Sequence, residues 1–121
     1  MSESAKIAPP YSLVLVGDPS GREIPNIVAG SVIASTSSCI AVGCLSEVDG
    51  ETEFTLGATP DVNPGIDPAF EGKLKTPNRM IAVRSVLHET ILEATVPEEQ
   101  TTVRVWVNDP TEPDKVIIGF G

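Results

Sequence analysis

The stretch SVLHETILEATVPEEQTTVRVWVN, residues 85–108, decides the fold. Two runs rich in β-branched residues flank Pro97-Glu98-Glu99-Gln100. The apolar/polar alternation stops at the proline and resumes at Thr102, which predicts an antiparallel hairpin. Successive strand side chains point to opposite sides, so Val103, Val105 and Val107 share one face and Thr102, Arg104, Trp106 and Asn108 the other. That is the pattern of a half-buried strand. No catalytic signature accompanies it.

The same period extends towards the N-terminus. Ile81, Val83, Ser85 and Leu87 alternate with Ala82, Arg84 and Val86, and beyond His88 the apolar set moves to Leu92, Ala94 and Val96. The change of face predicts a bulge or bend near His88-Glu89, letting one long segment pass around the edge of a sandwich. Residues 73–76 form a short edge strand, where lysines discourage unwanted pairing. Residues 59–72 hold three prolines and two glycines and are expected to form a long surface loop. Residues 39–45, CIAVGCL, are apolar on both sides apart from Gly43. Such a run belongs in the middle of a sheet or between layers, with Gly43 marking a bulge or the close approach of another backbone.

Asp49-Gly50 supplies turn chemistry before a return strand on which Phe54, Leu56 and Ala58 alternate with Glu53, Thr55 and Gly57. Residues 26–35 fit a helical turn or a strand; Gly30 and the β-branched residues favour a strand over 31–35. Residues 11–16 form a first strand and 17–25 an irregular loop. Residues 1–10 form a flexible lead-in ending in Pro9-Pro10. At the other end, residues 109–114 turn the chain into a closing strand, 116–120. The expected architecture is all-β: a single-domain antiparallel β-sandwich over residues 11–121 with about eight short strands.

The order of these features resembles the competence protein J family. The resemblance is carried by a Gly-Ser-Val run at 30–33, the apolar strand 40–45, and a strand ending in Thr76-Pro77 that leads to IAVRSV. ILEATVP, a short turn and TVRVWV complete it, so that it spans roughly residues 30–108. It implies a small acidic β-sandwich, in a family whose best-known member inhibits a partner nuclease. The family's usual glycine in the last hairpin turn is absent, since Pro97-Glu98-Glu99-Gln100 stands there. The resemblance therefore implies fold more than activity.

Composition agrees with a folded chain. Of 121 residues 40% are apolar and 21% charged, and aromatics are only 4%, so the core must be aliphatic. Seventeen acidic residues against eight basic ones give a net charge of −9. A field of that sign repels phosphate backbones, which argues against nucleic acid as a ligand, and attracts basic surfaces. The residues MSESAKIAPP lack the basic and apolar regions of a signal peptide, and no run suits a membrane span, so a cytoplasmic location is expected. Cys39 and Cys44 lie five apart on extended chain, roughly 16 Å between Cα atoms. A disulfide needs less than about 7 Å, so two buried, unbridged thiols are expected. One histidine and two cysteines are too few for a zinc site, and no cofactor is indicated.

Several residues invite chemistry. Asp61, Asn63 and Asp67 resemble the front of a calcium loop, but Ile66 and Gly72 occupy the positions where such a loop needs a glycine and a bidentate glutamate; an Asx-rich turn accounts for them better. His88 would have to carry any acid-base scheme, and Ser85 and Glu89 are merely its neighbours on a strand. Cys39 and Cys44 lack basic neighbours that would activate a thiol. Trp106 shares a face with Arg104, so it is either a partly exposed interface anchor beside a cation or a cap on the core with Arg104 stacked upon it. Glu47, Asp49, Glu51 and Glu53 flank one turn, while Glu98, Glu99, Asp109, Glu112 and Asp114 flank two others, giving a negative rim that is either solvating or a docking surface.

The expected function is therefore a non-enzymatic protein that binds a basic protein partner, a nuclease or toxin, through Glu47, Asp49, Glu51, Glu98, Glu99 and the Arg104/Trp106 face. The alternative is a small-ligand module with residues 59–72 as its lid. Self-association by pairing of the strand 116–120 across a two-fold axis is a separate expectation.

Overall fold

The computed structural model describes residues 2–20, 25 and 32–121. Residues 26–31, including Gly30 and Ser31 of the family-like run, lie outside the described residues. In chain order the strands are β1 (Ser2–Ile7), β2 (Leu13–Gly17), β3 (Ile33–Ser35), β4 (Cys39–Gly43), β5 (Thr52–Ala58), β6 (Phe70–Lys75), β7 (Met80–Ser85), β8 (Thr90–Thr95), β9 (Gln100–Val107) and β10 (Lys115–Phe120). A helical turn, α1 (Thr59–Val62), follows β5. One sheet has the order β1-β5-β10-β9-β6 and the other β3-β4-β2-β7-β8.

The all-β architecture follows from the alternation. Val103, Val105, Phe54, Leu56, Val116, Ile118 and Leu74 project from the first sheet into one apolar cluster; Val14, Val16, Ile40, Val42, Ile81, Val83 and Leu92 meet them from the second. Each such side chain fully removed from water contributes about 1.5–3 kcal/mol. The register joins these stripes: Val116 faces Val107 and Ile118 faces Val105 across β10/β9. Across β10/β5, Val116 faces Phe54 and Ile118 faces Leu56.

The connections differ from the expected ones. The turn at Pro97-Gln100 closes no hairpin, because β8 pairs with β7 in one sheet while β9 pairs with β10 and β6 in the other. The chain reverses instead at residues 85–89. There Ser85 N donates to Glu89 O at 2.9 Å, His88 N donates to Ser85 O at 3.0 Å, and His88 adopts φ 65°. The bulge lies earlier, between Val83 and Arg84. Residues 96–99 are a corner between sheets, bonded to the neighbouring corner at 76–79. Thr76 N donates to Glu99 O and Val96 N to Arg79 O, each at 2.9 Å. Likewise the Asp49-Gly50 turn carries the chain from one sheet to the other, because β4 and β5 belong to different sheets.

Three further corrections follow. The expected lead-in contains β1, antiparallel to β5; Ala5 and Ile7 rest on the core, and Pro9-Pro10 follows the strand's end. The closing strand β10 is central rather than at an edge, flanked on both sides, so pairing across a two-fold axis through it is ruled out. It also runs parallel to β5, because both strands start from the same end of the molecule, after turns that bond to each other. Finally, residues 59–72 are only partly loop, since α1 and the start of β6 leave residues 63–69 between them. Two local expectations hold: β6 is an edge strand, and Gly43 meets another backbone, its N–H donating to Val32 O at 2.7 Å.

Candidate functional site

The face of β9 opposite the valines is covered. Trp106 is 3% exposed, and its Nε1 donates to Ile66 O at 2.9 Å, so the loop that was expected as a lid is fastened over it. Ala69 N donates to Val105 O at 2.8 Å at the same crossing. Trp106 is thus a cap under the 63–69 loop and no exposed anchor. Arg104 turns to the adjacent strand: its Nε donates to Glu71 Oε1 at 2.7 Å and its guanidinium to Gly121 O at 3.1 Å. Glu71 and Arg104 are direct cross-strand partners, a relationship invisible before β6 and β9 are known to pair. The Arg104/Trp106 face is therefore occupied from within.

The acidic loops fall at two opposite ends. Glu47, Asp49 and Glu51 stand beside Asp109, Glu112 and Asp114, because Leu45 N donates to Pro113 O at 2.9 Å and Glu53 N to Asp114 O at 2.8 Å. Between them lies an open depression of about 340 Å³ lined by Asp49, Glu51, Glu53 and Asp114 with Lys6 and Lys115. Asp109 is organised within this end. Its carboxylate accepts from Glu112 N at 2.9 Å, Thr111 N at 2.8 Å and Thr111 Oγ1 at 3.0 Å, which holds it below the usual carboxylate range. Glu98 and Glu99 lie at the far end of β9, about 23 Å away at the rise of an extended strand. One continuous rim does not form.

The loop end that carries Glu47, Asp49 and Glu51 also exposes apolar side chains. Val48 is 87% exposed, Tyr11 75% and Leu87 56%. They leave the same end because Leu13 pairs with Gly43, Val14 pairs with Ser85, and Cys44 N donates to Ser12 O. Backbone in the left-handed region at Tyr11, Ser12 and His88 is concentrated there as well. Non-glycine residues held in that region are strained, and such strain gathers at ligand-contacting segments.

The remaining candidates lie apart from this end or within its turns. Asn63 Oδ1 accepts from Gly65 N at 2.8 Å in an Asx turn. Among the described residues no group of three or more histidine, cysteine, aspartate or glutamate side chains is placed to hold a metal ion. Ser85 Oγ accepts from Leu87 N and Glu89 N, and His88 stands exposed in that turn. Cys39 and Cys44 are buried and carry no disulfide; burial pushes the Cys44 thiol up. Sequence reasoning missed Asp18, a buried carboxylate bound by Ser20 and Asn78. Its own Asp-Pro-Ser turn was legible; the Asn78 partner, 60 residues away, was not.

The arrangement defines an all-β sandwich whose chemistry-bearing side chains lie mainly on exposed loops. No protein-family model and no curated protein sequence matches this chain. Among solved structures the chain has the fold of ComJ, inhibitor of the DNA degrading activity of NucA, from Bacillus subtilis. The TM-score is 0.69 at 9% identity, over 98% of this chain and 93% of that one. It is also similar to crocagin biosynthetic gene J, with a TM-score of 0.52 at 13% identity over 99% and 97% of the two chains. The resemblance to the competence protein J family is thus borne out at the level of fold.

Proposed function

We propose that this protein is a non-enzymatic binding module that recognises a basic protein, a DNA-degrading nuclease being the leading candidate, through the loop end at residues 46–51 and 108–114. The observation that carries the reading is the pairing there of acidic side chains with exposed apolar ones, Val48, Tyr11 and Leu87. Carboxylates steer a basic partner and set register, while apolar groups at loop tips supply area that water leaves on contact. The net charge of −9 supports the sign of the partner, and the likeness to ComJ supports the choice of a nuclease.

Calorimetric titration of the protein into a basic DNA-degrading nuclease, with DNA cleavage followed in parallel, tests this. Binding that suppresses cleavage and weakens as salt rises is expected. The variant E47K/D49K/E51K should lose it. Absence of binding at low ionic strength, or binding that the triple variant retains in full, overturns the reading.

A further inference from the structure

β1 stands at the edge of its sheet and pairs with β5 alone. Its grip on the core is slight: Ser2, Glu3, Ser4 and Lys6 are exposed, and only Ala5 and Ile7 rest on the apolar cluster. The connection from β1 to β2 is short and strained. Pro9, itself buried, leaves β1 in an extended conformation at φ −68° and ψ 142°. Tyr11 and Ser12 then both adopt the left-handed region, at φ 60° and φ 56°. Neither is glycine, and a Cβ in that region crowds the following carbonyl oxygen, so each residue holds a conformation it would leave if freed. Ser12 N closes the turn by donating to Pro9 O at 3.1 Å, and Cys44 N ties it to the second sheet by donating to Ser12 O at 2.9 Å. A lightly held strand thus keeps a strained turn shut.

We propose that β1 is exchanged between two copies of this chain. The turn at Tyr11-Ser12 opens into extended backbone, and each copy's β1 pairs with the other's β5. The bed that β1 occupies selects a second copy as the partner. Six residues of β1 match six of β5, from Ser2 opposite Gly57 to Ile7 opposite Thr52, with Ala5 opposite Phe54 and Lys6 opposite Glu53. An identical strand restores all of these pairings, the opposite charges of Lys6 and Glu53 included, together with the approach of Ser4 Oγ to Thr55 Oγ1 at 3.0 Å. Only the hinge changes. Both left-handed residues relax, against the loss of the bond from Ser12 to Pro9. Short hinges under strain favour this route to a dimer. The closed chain presents β1 to its own β5 at an effective concentration on the order of 1 mM, so a second copy competes near that concentration, and below it as far as opening relieves strain.

Exchange is independent of the nuclease reading and responds oppositely to salt. Two chains of net charge −9 repel, so exchange strengthens as salt rises, whereas capture of a basic partner weakens. S4C and T55C, made in separate chains, report it directly. Mixed at about 1 mM, warmed to just below their melting temperature, cooled and mildly oxidised, they should form a disulfide-linked heterodimer. Its yield should rise with protein concentration and with salt. Chance collision is measured by pairing S4C with T102C instead, since Thr55 and Thr102 are both half-buried on strands of the same sheet. The native Cys39 and Cys44 are buried and stay out of the reaction. Y11G/S12G, added to both chains, removes the strain without touching β1 or β5, because glycine enters the left-handed region freely. It should cut the cross-linked yield by at least about tenfold and leave the monomer folded, as its far-UV spectrum checks. A heterodimer yield no greater than that of S4C with T102C, a yield that falls as salt rises, or one that Y11G/S12G leaves unchanged overturns the proposal.

Discussion

Trp106 donates its indole N–H to the carbonyl oxygen of Ile66 at 2.9 Å, which fastens the 63–69 loop to the outer face of the sheet. Trp106→Phe keeps most of the apolar area and removes the donor, leaving that carbonyl to find water. A loss of about 1–2 kcal/mol is expected, together with faster amide exchange confined to residues 63–69. Urea denaturation and hydrogen exchange check both. Unchanged loop exchange would show that the loop is held by something else.

Gly119 makes room for the same assembly. A Cβ at this position would lie 2.9 Å from Thr59 Oγ1, 3.1 Å from Trp106 Cζ3 and 3.2 Å from Thr59 Cα. Two of those three contacts involve a buried threonine at the start of α1, where the backbone has little freedom to retreat. Gly119→Ala is therefore expected to cost about 1–3 kcal/mol by overpacking. It should read as a lower urea midpoint at unchanged slope; a neutral result would mean that α1 shifts at little cost.

How far the sequence disclosed this fold depends on whether the signal was local. Val103 and Val105, and Phe54 and Leu56, are buried as their alternation implies, since a strand's faces are set within the strand, and Ile40, Ala41 and Val42 are all buried, as a run apolar on both sides implies. Pairing is not local. Pro97-Glu98-Glu99-Gln100 has turn composition that serves a hairpin and a sheet-to-sheet corner alike. The true reversal at His88 uses a left-handed residue without the glycine or asparagine that would advertise it. β1 was hidden because SESAKI touches the core with only Ala5 and Ile7. Trp106 does point to the outer face, yet the segment that covers it lies 40 residues earlier in the chain. The candidate acidic residues were all legible as exposed turns, whereas their division between two ends required the strand order.

The two corners between sheets are locked by Thr76, which is fully buried. Its hydroxyl donates to Glu98 O at 2.8 Å and lies 2.9 Å from Thr101 Oγ1. A hydroxyl has a single proton, so Thr101 must donate to Thr76 in turn. Thr76→Val retains the shape and strands both partners, at an expected cost of about 1–3 kcal/mol. The double variant T76V/T101V should cost less than the sum of the two single variants, because the buried hydroxyls then leave together. Strict additivity in that cycle would sink the shared network.

Asp18 joins the turn after β2 to the corner before β7. Its carboxylate accepts from Ser20 N at 2.9 Å, Ser20 Oγ at 2.7 Å, Asn78 N at 2.8 Å and Asn78 Nδ2 at 3.0 Å. Burial alone pushes this carboxyl up, but the donors from Ser20 and Asn78 outweigh it and hold it below its ordinary value of 3.8. A folded-state value below the unfolded one means that the folded protein binds the proton less readily. The stabilisation is therefore complete above the ordinary value and drains away as pH falls through it towards the folded one. Acidification below about pH 4 should accordingly lower the melting temperature through this group. Asp18→Asn should be less stable than the native chain at neutral pH and flatter on the acid side, so that the two stability curves converge at low pH. Melting temperatures of both proteins across the acid range decide it, and curves that stay parallel would remove Asp18 as the source of the acid sensitivity.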